Sequence, residues 1–158
     1  PEDPSVYGLN KKEGWYWPNC GEIDIVEHLG HQLGVAHAAL HSKDAYFKNG
    51  GERSEATEIA DFSGGFHTYA VEWFPDHLTF FADGVRYHRV ENDGAGWESW
   101  PFDHAFYVIL NLAVGGSWGG REGIDRSAWP QRMLVDYVRI SEYVGPDKEA
   151  LLADGSRP

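Results

Sequence analysis

Short segments in which apolar and polar residues alternate, separated by turn residues, are the feature that most constrains the fold of this chain. Residues 67–73 read His-Thr-Tyr-Ala-Val-Glu-Trp, and a period of two is typical of a strand with one buried face. Leu78–Ala82 and Val85–Val90 flank Asp83-Gly84, a dipeptide that adopts the positive φ angles of a type I′ turn. The pattern therefore predicts a strand followed by a β-hairpin.

Two further apolar segments predict strands nearer the C-terminus. Phe106–Val114 is almost continuously apolar, Asn111 is its only strongly polar residue, and Gly115-Gly116 follows it. Such a run is consistent with a strand covered on both faces in the middle of a sandwich. Met133–Ile140 is predicted to be the last strand, and Gly145-Pro146 ends it. Together these segments predict an all-β chain, a β-sandwich of roughly seven or eight strands.

The length and composition of the chain are those of one globular domain. Its 158 residues, of which 42% are hydrophobic and 15% aromatic, are sufficient to bury one sizeable core. We expect this domain to span residues 1–145, followed by a polar tail at 146–158. A β-sandwich commonly has roughly 200–250 residues, and this chain starts abruptly with Pro1-Glu2-Asp3-Pro4. We therefore expect an N-terminally incomplete sandwich, with a complete small sandwich of about 100–150 residues as the alternative.

Charge and cysteine content exclude several classes of protein. The chain has 25 acidic and 13 basic residues and a net charge of -12, which disfavours binding to nucleic acid and to anionic membranes. The sequence has no run of about 18 apolar residues that would span a membrane. The single cysteine, Cys20, excludes an internal disulfide framework and a four-cysteine zinc site. We expect a monomer that binds a neutral ligand.

The strongest chemical signal lies in residues 21–28, which contain three carboxylates with β-branched residues between them. On a regular strand, Glu22 and Asp24 point to one face and Glu27 points to the other, because successive side chains alternate. One extra residue near Ile25-Val26, a β-bulge, would bring all three acids onto the same face. We therefore predict a bulge there, with the residue between Glu22 and Asp24 facing the core.

Three carboxylates this close can divide the roles of acid and base between them. Like charges raise one another's pKa, so at least one acid is expected to be protonated near neutral pH while another stays ionised. Retaining glycosidases use such a pair, with carboxyl groups about 5–5.5 Å apart. Spacing alone also allows a solvated acidic edge or a calcium site, although calcium prefers loops rich in Asp, Asn and Gly.

The string Glu22-Ile23-Asp24-Ile25-Val26-Glu27 resembles the E-x-D-x-x-E signature of glycoside hydrolase family 16, in the bulged form of laminarinase-like endo-β-1,3-glucanases. The resemblance continues, in the family's order, through residues 14–21, 66–73, 110–118 and 134–139. It implies a concanavalin A-like jelly-roll sandwich with a glucan-binding cleft on its concave face. It also implies an enzyme that needs no catalytic cofactor and is extracellular or periplasmic.

The resemblance implies roles for individual residues. Glu22 would be the nucleophile, Glu27 the acid/base and Asp24 the assisting carboxylate. His41 resembles a histidine beside this site that hydrogen-bonds the carboxylates or the sugar, and a structural histidine is the alternative. Trp17 resembles a tryptophan that contacts the glucan, since an aromatic face suits the apolar C–H face of a pyranose.

Other residues carry more than one interpretation. Trp15 and Trp118 are candidate aromatic residues of the cleft, although tryptophans in a sandwich are also ordinary core residues. Asn111 could donate to a sugar hydroxyl or satisfy buried backbone groups. Asp136 resembles a residue of a structural calcium site that many family members have away from the cleft. The histidines at 37 and 41 have the spacing of a helical metal pair, but the surrounding strand signals disfavour a catalytic zinc site.

The substrate implied by the resemblance is a β-1,3-glucan of the laminarin type. A family member that acts on mixed-linkage β-glucan or on an algal galactan is an alternative with the same chemistry. A non-catalytic glucan-binding protein on the same fold is a third hypothesis, which the presence of all three acids disfavours.

Overall fold

The computed structural model describes residues 16–145, in which strands are the dominant regular structure. The strands are β1 (Glu22–His28), β2 (Val35–His41), β3 (Arg53–Glu58), β4 (Tyr69–Trp73), β5 (His77–Ala82) and β6 (Val85–Glu91). Arg126–Ala128 forms a short 3₁₀ helix. No helix in this part of the chain is both long enough and apolar enough to cross a membrane. The predicted all-β class is confirmed.

The strands form two antiparallel sheets of three strands each, in the orders β1-β2-β3 and β4-β5-β6. The predicted hairpin is confirmed, because Ala82 pairs with Val85 across a two-residue turn. Asp83 and Gly84 in that turn have φ angles of 50° and 76°, and both are positive as a type I′ turn requires. The strand predicted at residues 67–73 is present as β4, which begins at Tyr69.

The main core lies between the two sheets. Its buried side chains come from β2, from β5 and from the segment after β6, and they are Ala38, Leu40, Leu78, Phe80, Trp100 and Phe102. Ile23 of β1 packs against this cluster, so the residue between Glu22 and Asp24 faces the core as predicted. Because alternate residues of β2 point into the core, the residues between them line the opposite face of the first sheet.

Two predicted strands do not form among the described residues. Phe106–Val114, predicted to be covered on both faces, lies outside both sheets, and Ile109 within it is 66% exposed. Met133–Ile140, predicted to be the last strand, is also outside both sheets, with Leu134 71% exposed. An apolar segment becomes a strand only when a neighbouring strand completes its backbone hydrogen bonds, and β1 to β6 pair only with one another. Both strand predictions are therefore wrong for residues 16–145.

Phe80 provides a test of the core between the sheets. It is 0% exposed, whereas Phe66 is 69% exposed. Truncation of a fully buried phenylalanine removes apolar contacts and leaves a cavity, so we expect Phe80→Ala to lower the free energy of unfolding by about 3–5 kcal/mol. Phe66→Ala should change it by less than about 0.5 kcal/mol. Urea unfolding measures both variants, and equal losses would contradict this placement of the core.

Candidate active site

A β-bulge in β1 places three carboxylates on one face of the first sheet. The register pairs Glu22 with His41, Asp24 with Ala39 and Glu27 with His37. Two residues of β1, Ile25 and Val26, thus oppose a single residue of β2, which confirms the predicted bulge. Directly opposed residues of an antiparallel pair point to the same face, and β2 alternates regularly. Glu22, Asp24 and Glu27 therefore share the face that points away from the core, and we call these three residues the acid row.

Gly21 determines how the chain enters β1. Its φ angle is +77°, and a Cβ atom at this position would lie 3.0 Å from the Pro101 ring and 3.1 Å from the Phe106 ring. Glycine adopts this conformation without steric cost, and it leaves room for both neighbours. This close passage brings Glu22 to the first position of β1, opposite the end of β2.

Glu22, Asp24 and His41 form a compact group of ionisable side chains. Their potential ligand atoms all lie within 4.8 Å of one another. The Nε2 atom of His41 is 3.2 Å from Asp24 Oδ2 and 3.9 Å from Glu52 Oε1. His41 is only 7% exposed, so little water screens these charges. Glu52, the residue before β3, thus brings a fourth carboxylate to the site.

Trp17 reaches this group from the turn that precedes β1. Its indole Nε1–H donates a hydrogen bond to Glu22 Oε2, and its ring centre is 5.8 Å from that of His41. A donor directed at a carboxylate favours the ionised form. The structure therefore brings Trp17 and His41 beside Glu22, and their roles in sugar binding stay predictions.

Burial and repulsion by Asp24 raise the pKa of both glutamates. Burial raises the pKa of Glu27 to about 7, and the charge of Asp24 adds to this effect. Burial and then the charge of Asp24 also raise the pKa of Glu22, but the Trp17 donor and the charge of His41 oppose that rise. Glu27 therefore holds a proton close to neutral pH, while Glu22 has partners that favour its carboxylate form.

His41 supplies positive charge to this acidic site. Burial lowers the pKa of His41, but the adjacent Asp24 carboxylate and the charges of Glu22 and Glu52 raise it by more than burial lowers it. The net shift of the pKa is upward. The imidazole is therefore protonated to higher pH than in a free histidine. Because His41 faces several carboxylates at once, it does not neutralise all of them, and the proton on Glu27 is retained.

Tyr46 and Phe47, two aromatic residues that the sequence did not single out, extend the surface beside Trp17. Their ring centres are 5.8 Å and 5.9 Å from the Trp17 ring, and Phe47 is 54% exposed. Both lie in the loop that begins directly after His41, as does Glu52. The position of Tyr46, Phe47 and Glu52 in the sequence, shortly after His41, is the signal by which sequence analysis could have identified them.

The other predicted site residues lie in different places. Trp118 is 40% exposed, and its ring centre is 5.3 Å from that of His37. Since His37 is the register partner of Glu27, Trp118 lies near the far end of the acid row. Asn111 is exposed and lies outside both sheets. Trp15 lies outside the described residues.

Glu22, Asp24 and His41 are also the one group of acidic, histidine or cysteine side chains within residues 16–145 that could hold a metal ion. Asp136 is exposed and belongs to no such group in the described part of the chain. The structural calcium site expected at Asp136 stays a prediction. His37 and His41 lie on strand β2, so the helical metal pair considered from their spacing is not formed.

The three acids of β1 are half-buried. Two cavities in the described structure are elsewhere: one of about 350 Å³ lined by Trp73–Pro75 and Phe102–Ala105, and one of about 210 Å³ around Ile59 and Ala82. Neither is lined by the three acids of β1.

The raised pKa of Glu27 makes stability depend on pH. The unfolded chain releases this proton near the ordinary value of 4.5, whereas the folded chain holds it to about 7. The stability contributed by the protonated side chain is fully present below the unfolded pKa and is lost as the pH rises through the folded pKa. We therefore expect Glu27→Gln to reduce the fall in the free energy of unfolding across this window.

Urea unfolding of wild type and Glu27→Gln at about pH 5 and about pH 8 measures this difference. Glu58→Gln, at an exposed position at the end of β3, is the matched control and should keep the wild-type dependence on pH. An unchanged dependence in Glu27→Gln would contradict the raised pKa.

Comparison with known proteins gives an independent view of the same residues. Residues 4–139 match the family model of glycosyl hydrolases family 16. The chain is 38% identical over 149 residues to a β-glucanase of Rhodothermus marinus, covering 89% of this chain and 52% of the relative. The X-ray structure of the laminarinase from Rhodothermus marinus matches with a TM-score of 0.73 and 38% identity, covering 77% of this chain and 51% of that one. The endo-β-1,3-glucanase structure from Pyrococcus furiosus matches with a TM-score of 0.62 and 38% identity, covering 70% and 43%.

The similarity is extensive on this chain and partial on its relatives. The chain spans about half the length of the β-glucanase and of the laminarinase that it matches. The family match nevertheless includes both sheets and the whole bulged acid row. Since the agreement in sequence and in backbone extends over most of these 158 residues, the chain belongs to glycosyl hydrolase family 16.

Proposed function

We propose that this chain provides the catalytic face of an endo-acting β-1,3-glucanase, which cleaves laminarin-type glucan with retention of anomeric configuration. The observation that carries the proposal is the bulge in β1, which aligns Glu22, Asp24 and Glu27 on one face of the sheet. The similarity to a laminarinase and to an endo-β-1,3-glucanase supports this choice of substrate. The catalytic domain proposed here includes residues 1–145, with 146–158 as a tail.

In the first half of the proposed reaction, Glu22 is the nucleophile and Glu27 is the general acid. An oxygen of the Glu22 carboxylate bonds to the anomeric carbon, while Glu27 gives its proton to the glycosidic oxygen of the departing sugar. The different environments of the two glutamates suit this division. Trp17 donates to the Glu22 carboxylate, and the pKa of Glu27, raised to about 7, leaves a proton available.

In the second half, Glu27 acts as a general base. Its carboxylate takes a proton from water, and the water oxygen bonds to the anomeric carbon as the bond to Glu22 breaks. Asp24 assists both halves through its charge, which raises the pKa of Glu27. The ion pair of Asp24 with His41, 3.2 Å apart, holds this carboxylate in place.

The setting of the proposed enzyme follows from its substrate. A glucan polymer is too large to enter a cell intact, so the proposed location is extracellular or periplasmic. The protein is proposed to act as a monomer on β-glucan chains or oligosaccharides, with no nucleic acid or membrane as partner. A structural calcium ion at Asp136 has no part in the proposed reaction.

Replacement of the nucleophile tests the proposed reaction. We expect wild type to release reducing ends from laminarin with the β-configuration retained, as NMR of the first products would detect. Glu22→Gln should lower kcat by at least about 10³-fold, because no covalent intermediate can form, while retardation in laminarin-containing gels is kept. Glu58→Gln, the control on β3, should remain active. Full activity of Glu22→Gln would end the assignment.

A substrate panel separates the candidate specificities. We expect release from laminarin to exceed that from lichenan and agarose. Preference for lichenan would indicate a mixed-linkage enzyme, and preference for agarose would indicate a galactanase of the same family. Binding to laminarin without release from any of the three polymers would indicate a glucan-binding protein.

The pH profile of laminarin hydrolysis tests the acid role of Glu27. Because Glu27 must be protonated in the first step, kcat/KM should fall as the pH rises through about 7. Asp24→Asn removes a charge that raises the pKa of Glu27. In this variant, the fall of kcat/KM with rising pH should therefore occur at lower pH than in wild type. If kcat/KM of Asp24→Asn falls at the same pH as that of wild type, the effect of the Asp24 charge on the pKa of Glu27 is contradicted.

A further inference from the structure

Phe47 is an exposed aromatic side chain at the rim of the acid row, and the reaction described above does not use it. Its ring centre lies 5.9 Å from that of Trp17 and 6.3 Å from that of His41. Trp17 in turn donates to the Glu22 carboxylate. Phe47 therefore stands one side chain away from the proposed nucleophile.

The loop that carries Phe47 is held in shape by Asn49. The Asn49 Oδ1 atom accepts hydrogen bonds from the backbone N–H groups of Tyr46 at 3.0 Å and Gly51 at 3.1 Å. Its Nδ2 group donates to the backbone oxygen of Asp44 at 3.0 Å. These bonds close the loop on both sides of Phe47, so an aromatic face is presented without support from a regular strand.

The exposed ring of Phe47 is suited to packing against a sugar. A ring that is 54% exposed contributes little to the core. A pyranose has an apolar face of C–H groups with hydroxyl groups around its edge, and an aromatic ring packs well against such a face. The Lys48 ammonium group lies over the Phe47 ring, 5.5 Å from its centre, as a cation–π contact. A sugar that packs against this ring displaces the flexible Lys48 side chain or packs on the other face, and the ammonium can then donate to its hydroxyls.

We propose that Phe47, with Trp17 beside it, forms a binding platform for one glucose ring of the glucan, next to the ring whose anomeric carbon faces Glu22. This proposal rests on the proposed function and assigns a further part of its substrate site. The platform acts through binding, since Phe47 touches none of the atoms that react. It therefore lowers KM and leaves the rate of the chemical step unchanged.

Substitution at position 47 separates an aromatic platform from a merely apolar one. We expect Phe47→Ala to raise KM for laminarin about 2- to 10-fold, as the loss of one aromatic packing partner predicts. The value of kcat should change by less than about twofold. Phe47→Trp should retain wild-type KM, and Phe47→Leu should resemble Phe47→Ala. Phe66→Ala, at an exposed phenylalanine remote in sequence from the acids and from this loop, is the matched control and should keep both constants.

A binding measurement keeps the platform distinct from the reaction. In the Glu22→Gln background, retardation in gels that contain laminarin should weaken with Phe47→Ala and Phe47→Leu and persist with Phe47→Trp. If wild type binds laminarin without cleaving it and Phe47→Ala reduces that binding, the platform stands and the proposed reaction fails. If wild type cleaves laminarin while Phe47→Ala keeps both KM and retardation, the platform is overturned and the reaction stands. Lack of both laminarin cleavage and laminarin binding by wild type would overturn both.

Discussion

The β-bulge at Ile25-Val26 is the constraint on which the rest of the site depends. Without it, the register of Glu22 with His41 and Asp24 with Ala39 would place Glu27 opposite Ala36, on the core side of the sheet. Burial of an unpaired charge costs several kcal/mol, or forces the group to stay protonated. With the bulge, β1 keeps Ile23 in the core and presents all its acids to the other face. One inserted residue thus lets the same strand contribute Ile23 to the core and three carboxylates to the opposite face.

The electrostatics of the site follow from that alignment. Glu22, Asp24 and Glu27 repel one another across a partly buried surface, and His41 compensates only part of the negative charge. Glu27, whose pKa is raised to about 7, holds a proton close to neutral pH, while the Trp17 indole N–H stabilises the carboxylate of Glu22. Both glutamates lie on the same strand, and the hydrogen bond from Trp17 distinguishes the proposed nucleophile, Glu22, from the proposed acid, Glu27.

Two apolar segments lie outside the sheets because no strand of the described chain pairs with them. Phe106–Val114 and Met133–Ile140 have strand-like sequences, yet their side chains are largely exposed and their backbones pair with neither sheet. Unpaired apolar segments of this kind are prone to edge-to-edge association. The chain spans about half the length of its laminarinase relatives, so the sheets described here account for part of the sandwich that those relatives build.

The sequence by itself determined the features that depend on neighbours along the chain. Alternation between residues 67 and 73 and the Asp83-Gly84 turn specified a strand and a hairpin, because both follow from local backbone geometry. The spacing of the three acids likewise required a bulge. Only the tertiary structure decided which apolar segments find a partner strand, and that Phe47 and Glu52 lie beside His41. It also decided that the pKa of Glu27 rises to about 7, because burial and charge depend on groups that are distant in sequence and adjacent in space.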